Sequence, residues 1–198
     1  FVGFNVYAGL DGGVAAVQVT EWDEPQAVIG SYLHRHAYPD WYAQHELRDR
    51  DLVLRQEDHG RSVQITKFNV NGTPLQILNV HGIWTADKRG DERTIKQCEY
   101  ITAAASRRGI PTIIAGDFNL LPETSSIEIV SKKFRNLVRE RGLDSTRPTF
   151  EDGIDKGNHV VDYVFVNDLI DVTDFRVVQT DISDHLPLVL DFVIKSHT

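Results

Sequence analysis

Two hydrophobic periods run along the chain. Short runs rich in β-branched and aromatic residues, either alternating with polar positions or continuous, predict strands over 13–19, 62–70, 75–83, 112–119, 161–167, 175–180 and 186–194. Asn71-Gly72 lies between the second and third runs and predicts a hairpin turn, because both residues tolerate positive φ. A period near 3.6 predicts a helix over 92–108, with Ile95, Cys98, Ile101, Thr102 and Ala105 on one face. Gly109 is placed to cap it, with Pro111 just beyond. A second helix is predicted from Ser125, where Ser125 and Glu128 make a capping-box pattern. Ile127, Val130, Phe134, Leu137 and Val138 carry its apolar stripe, and Gly142 ends it. Residues 25–60 show no clean period and are expected to form an irregular surface segment with one short helix. Strands and helices mixed in this way predict sheets covered by helices, a layered α/β arrangement, and the hairpin argues against a purely parallel sheet.

Composition narrows the class. With 198 residues, 41% of them hydrophobic, the chain is the right size for one domain with a sizeable core. No repeat, low-complexity stretch, linker or membrane-length apolar run interrupts it. The formal net charge of −8 argues against tight nonspecific binding to nucleic acid, although a local basic groove remains compatible with it. Lys132, Lys133, Arg135, Arg139 and Arg141 are the nearest thing to such a face, and an ordinary solvated helix surface is the simpler reading of them. The single cysteine, Cys98, excludes an intrachain disulfide and falls at a core position. It leans toward a reducing, cytoplasmic setting. A monomer is expected. The chain contains no methionine and begins at Phe1, so it is expected to be N-terminally incomplete.

Polar groups gather at the strand ends. Asn79 and His81 lie in "LNVHGIW", Asp117 and Asn119 in "AGDFN", Asp162 opens "DYVFV", and Asp184 and His185 form "SDH" before the last strand. Each has a plain structural reading. A lone histidine beside an apolar strand is usually a hydrogen-bonded rim residue, and Asp-x-Asn after a strand is often turn or capping chemistry. Taken together they supply the parts for metal-assisted phosphoryl hydrolysis. Carboxylates hold a hard cation such as Mg²⁺, with Mn²⁺ as the alternative, and orient the attacking water. Amide and imidazole donors bind the nonbridging oxygens as charge develops. A further Asp fixes the tautomer of one imidazole. Trp84, just after "NVHGI", is read either as lining the substrate entrance or as a packed edge residue.

"GDFN", then "DYVFV", then "SDHLPLVL", with "NVH" upstream, resembles the endonuclease/exonuclease/phosphatase superfamily, the DNase-I-like fold. The resemblance runs over most of the chain as a single domain, residues 1–198. It implies a four-layer α/β/β/α sandwich of two mixed β-sheets with outer helices, and an active site at one edge of the sandwich. It implies that Asp117 positions or activates the water and that Asn119 binds the scissile phosphate and that water. Asp184 would hold the metal, and His185 would contact a phosphate oxygen while paired to Asp162. His81 would be a second phosphate contact or proton donor, with Asn79 and Trp84 at the substrate. These groups are expected at a solvent-facing rim. The substrate class is a phosphate ester: a nucleic acid, a lipid or a small molecule.

Two N-terminal landmarks of that family are absent at the expected spacing. These are an Asn in the first strand and a metal-binding Glu in a "QE" strand end. Asn5 has no metal-binding Glu at a sensible distance after it. Glu57 ends "DLVLRQE" but stands only 24 positions before His81, most of them filled by the hairpin. The first strands are therefore expected to be missing. The competing reading is a noncatalytic relative that keeps the fold as a binding or scaffold domain; a third treats the acidic strand ends as a structural Ca²⁺ site.

Overall fold

The computed structural model describes residues 2–7, 14–19, 62–70, 73–106, 109–148, 150–151, 154–155, 159–180 and 185–195. The strands in chain order are β1 (Val2–Tyr7), β2 (Val14–Val19), β3 (Ser62–Val70), β4 (Thr73–His81), β5 (Thr112–Asp117), β6 (Arg135–Asn136), β7 (Phe150–Glu151), β8 (Ile154–Asp155), β9 (Asp162–Val166), β10 (Ile170–Val177) and β11 (Leu188–Ile194). The helices are α1 (Glu92–Ala105), α2 (Ser125–Ser131) and α3 (Leu137–Glu140). One sheet runs β10-β11-β1-β2, antiparallel throughout these pairs, and the other runs β3-β4-β5-β9-β6 with β4 and β5 parallel. β7 and β8 form a separate two-stranded ribbon. Side chains of both larger sheets and of the helices share one apolar core. This is a layered α/β sandwich, the arrangement that the sequence resemblance implies.

Burial explains the sequence patterns. β5 and β9 are buried at every position, which is why they read as continuous apolar runs. They stand in the middle of their sheet, between β4 and the short edge strand β6. β10 is the edge of the other sheet and keeps an alternating surface, with a register shift between Val172 and Asp174. The rings of Phe118, Tyr163 and Phe165 pack where the β5 and β9 chains meet, with Phe118 edge-on to the other two at 5.5 Å.

Several boundaries differ from the expected ones. Val2–Tyr7 forms a strand that was not anticipated, because a six-residue run containing Gly3 and Asn5 carries little β signal by itself; pairing with both β11 and β2 supplies the stability. The helix expected from Ser125 to Gly142 is broken. α2 ends after Ser131, Arg135 and Asn136 pair with β9, and Asn136 then caps α3 by accepting the Arg139 N–H. Phe134, Leu137 and Val138 are buried as expected, so a helical period was satisfied by two turns and an edge pairing. The N-cap of α2 is Thr124, whose hydroxyl accepts the Ile127 N–H; the Ser125–Glu128 box is not used. α1 buries Thr94, Gln97, Cys98, Ile101 and Ala105, a face rotated slightly from the expected one, and is opened by an Asp91–Thr94 capping box. Val70 and Thr73 are register partners on either side of the expected Asn71-Gly72 turn, which, like residues 25–60, lies outside the described residues. Arg135 and Arg139 bond to Glu140 and Glu128, so these two arginines of the basic run are part of a salt-bridged outer surface. Among the described residues no helix is long and apolar enough to cross a membrane.

Ile114 has no exposed surface and sits mid-strand in β5 between β4 and β9. Ile114→Asp should cost ~4 kcal/mol or more by burying an unpaired charge. Loss of the cooperative melt followed by circular dichroism is the expected result; a normal cooperative melt would show that β5 is not central.

Candidate active site

Strand register builds the first part of the site. β4 and β5 pair His81 with Asp117, and β5 and β9 pair Asp117 with Asp162. Neighbours in register project from the same face of a sheet. Three polar groups, far apart in sequence, therefore form one row across adjacent strand ends. Asp117 and Asp162 are almost fully buried and His81 is half-buried.

Two glycines let the strand ends approach this closely. A Cβ on Gly116, at φ +140°, would lie 2.1 Å from the Val80 carbonyl oxygen. A Cβ on Gly82 would lie 2.2 Å from the Phe118 carbonyl oxygen. With glycine there, the Gly82 N–H donates to the Asp117 carbonyl at 2.6 Å.

The segment before β11 brings in His185. Its Nδ1 lies 2.9 Å and 3.0 Å from the two carboxylate oxygens of Asp162. Thr146, from the connection after α3, holds the same carboxylate: its hydroxyl donates to Asp162 Oδ2 at 2.7 Å and accepts the N–H groups of Val161 and Asp162. The Thr146 carbonyl accepts the Leu186 N–H at 2.8 Å, so one threonine fixes both partners of the Asp–His pair. With Nδ1–H directed at Asp162, the neutral imidazole leaves Nε2 as its other working atom. Burial alone would lower the pKa of His185; the charge and hydrogen bond of Asp162, helped by Asp117, outweigh it and raise the value above the ordinary histidine range.

Asn119 completes the cluster. Its backbone is left-handed at φ +56°, which asparagine tolerates better than most residues. Its N–H donates to Asp117 Oδ1 at 2.7 Å, its Nδ2 to the Gly82 carbonyl at 3.2 Å, and its Oδ1 accepts from Lys88 Nζ at 3.2 Å. The turn reading of Asp-x-Asn is thus realised in the backbone, while helix capping falls to Thr124. Burial first, and then the neighbouring Asp162 charge, push the Asp117 carboxyl up to about 6, against the pull of His185, the Asn119 N–H and Lys88.

The structure therefore gathers Asp117, Asn119, Asp162 and His185, with His81 next in the row. The cluster is buried, in contrast to the solvent-facing rim expected from sequence. Asn79 shares the β4 face of His81 one step back, and no hydrogen bond among the described residues ties it to the cluster. Trp84 is 49% exposed on the loop after β4. Asp184 and Glu57 lie outside the described residues. Thr146 and Lys88 were missed: a threonine in a polar loop and a lysine between an aspartate and an arginine carry no periodic signal.

Asp117, Asp162 and His185 offer ligand atoms all within 4.8 Å of one another, a donor set of hard oxygens and one imidazole suited to a divalent cation. The carboxylates are not equivalent. Asp162 engages both oxygens with His185 and Thr146, whereas the Asp117 carboxyl, pushed up by burial and then by a like charge, is the one a nearby cation would relieve.

Buried carboxylates, an amide and an Asp-held imidazole thus meet at the strand ends of a sandwich of two sheets. The sequence profile of the Endonuclease/Exonuclease/phosphatase family matches residues 4–185, and the chain belongs to that family, whose members hydrolyse phosphoester bonds and generally use divalent metals. No curated protein matches it by sequence. Solved structures share the fold. An endonuclease/exonuclease/phosphatase from Bacteroides vulgatus is 16% identical, with 73% of this chain and 64% of that one covered and a TM-score of 0.54. D. rerio TDP2 complexed with a single-strand DNA product is 13% identical, with 72% and 65% covered and a TM-score of 0.55. The mannosyl-6-phosphatase Bt3783 of Bacteroides thetaiotaomicron is 19% identical, with 68% and 57% covered and a TM-score of 0.50. The chain thus spans 57–65% of the length of these three structures.

The raised Asp117 carboxyl has a stability consequence. The folded state binds this proton more tightly than the unfolded chain, where the group titrates near 3.8, so stability is lost as pH rises from about 4 through about 6. Asp117→Asn keeps the acceptor for Asn119 and removes the charge. In metal-free buffer it should be more stable than the parent at pH 8 by on the order of 2 kcal/mol, with the gain vanishing near pH 4. Denaturant melts at the two pH values check this; an equal or lower stability at pH 8 would contradict the buried-charge account.

Proposed function

We propose that the chain is a divalent-metal-dependent phosphoesterase that hydrolyses a phosphate ester by in-line attack of water. The observation that carries this reading is the junction of the Asp162–His185 pair with the Asp117–Asn119 turn, four groups from three separate segments meeting in one buried cluster. Stability alone does not explain it, because two buried carboxylates in register repel each other.

Each side chain has work suited to its surroundings. Asp117, with its carboxyl pushed up to about 6, is tuned to orient the attacking water and accept its proton near neutral pH. The Asn119 amide, held at both ends by Lys88 and Gly82, directs its remaining N–H toward a phosphate oxygen. His185, whose charged form the Asp162 carboxylate favours, presents Nε2–H to a second oxygen. His81, beside Asp117 in the row, is placed as a further phosphate contact or as proton donor to the leaving oxygen. The exposed Trp84 would cover the leaving group at the entrance, with Asn79 set behind His81. Asp184 would hold the cation, Mg²⁺ or Mn²⁺. The bound cation supplies charge neutralisation at the phosphoryl group and leaving oxygen.

The test uses bis-p-nitrophenyl phosphate, plasmid DNA and sphingomyelin with Mg²⁺, with EDTA and with His185→Ala. Turnover that needs the metal and falls roughly 10²- to 10⁴-fold in His185→Ala is expected, the range of one acid–base or phosphate-binding histidine. Asp117→Asn should fall at least as far while remaining folded. Full activity in either variant would refute the site assignment, and the ranking of the three substrates identifies the substrate class.

A further inference from the structure

The loop between β4 and α1 contains the second non-glycine residue with positive φ among the described residues, Lys88 at +55°. A lysine gains nothing from that conformation, which glycine or asparagine adopts more readily. The loop nevertheless locks it there. The Lys88 N–H donates to the Thr85 carbonyl at 3.1 Å, and the Lys88 carbonyl accepts the Leu121 N–H at 2.9 Å. Gly90 N–H and Ile83 N–H are held by Thr85 Oγ1 and Gln97 Oε1. The outcome of this bracing is that the half-buried Lys88 ammonium stands 3.2 Å from Asn119 Oδ1, the residue that closes the cluster. Backbone strain persists where the surrounding structure over-determines it, and it concentrates at ligand clamps.

The contact also sets the polarity of the amide. An ammonium has only donors, so it takes the oxygen end of Asn119 and forces the NH₂ end to face Gly82 and the cluster. Its charge reaches Asp117 as well, where it opposes the upward push on the carboxyl.

We infer that Lys88 is a phosphate-binding residue: its ammonium pairs with a nonbridging phosphate oxygen and holds Asn119 so that the amide N–H meets a second one. This rests on the phosphoesterase reading of the site. Lys88→Gly relieves the backbone strain but deletes the cation, so the fold should be kept while phosphate binding weakens roughly 10- to 100-fold, the scale of one charge-assisted hydrogen bond. Lys88→Arg should restore much of the binding, and the neutral Lys88→Gln should not.

The experiment is titration of inorganic phosphate, followed by calorimetry and by the side-chain amide resonances of ¹⁵N-labelled protein, on the parent and the three variants. Bis-p-nitrophenyl phosphate turnover of the parent and His185→Ala is measured alongside. Weakened binding in Lys88→Gly and Lys88→Gln, recovered in Lys88→Arg with all three variants giving a cooperative melt, supports the assignment. Unchanged binding in Lys88→Gln, or no phosphate binding by the parent, overturns it. A parent that binds phosphate through Lys88 but hydrolyses nothing would remove the phosphoesterase reading and leave the binding role of Lys88 standing.

Discussion

Asp117 and Asp162 stand opposite each other on adjacent strands, both nearly out of reach of water. Two like charges in that position repel, and little solvent remains to soften the repulsion. The groups around them are arranged to answer it. His185 and Thr146 hold Asp162, the Asn119 N–H holds Asp117, and Lys88 lends a positive charge from the neighbouring loop. Asp162 is satisfied on both oxygens, which leaves Asp117 carrying the strain of the pair. A difference between two carboxylates of this kind assigns different chemical roles to residues of one type.

The sheet makes the arrangement possible by bringing backbones unusually close. β4, β5 and the loops after them interlock at Gly116 and Gly82, and no side chain of any size fits at either point. The ring cluster of Phe118, Tyr163 and Phe165 and the bond from Tyr163 OH to the Leu120 carbonyl brace the same junction from the apolar side. The polar cluster is therefore seated on packed strands, which is what holds functional groups to sub-ångström tolerance.

Much of this was legible in the sequence and some was not, for physical reasons. β5 and β9 announced themselves because burial on both faces demands an unbroken apolar run. Asp117, Asn119, Asp162 and His185 stood out only as a set, since each alone has a plain structural reading at the end of such a run. The break after α2 was invisible, since Phe134, Leu137 and Val138 keep a helical spacing whether or not the chain between them is helical. β1 was invisible because its stability comes from β11 and β2, not from its own composition. Thr146 could not be found by period or motif; only the meeting of residues 146, 162 and 186 in space gives it a purpose.

Cys98 lies on the core face of α1 with no exposed surface, and burial pushes its thiol up to about 12. The thiolate is the reactive form, so in the folded protein this sulfur is both sheltered and almost wholly protonated. Nothing else in the chain competes for a thiol reagent, because it is the only cysteine. Its alkylation thus proceeds through molecules in which α1 has come away from the sheet. The protein carries its own clock for that opening.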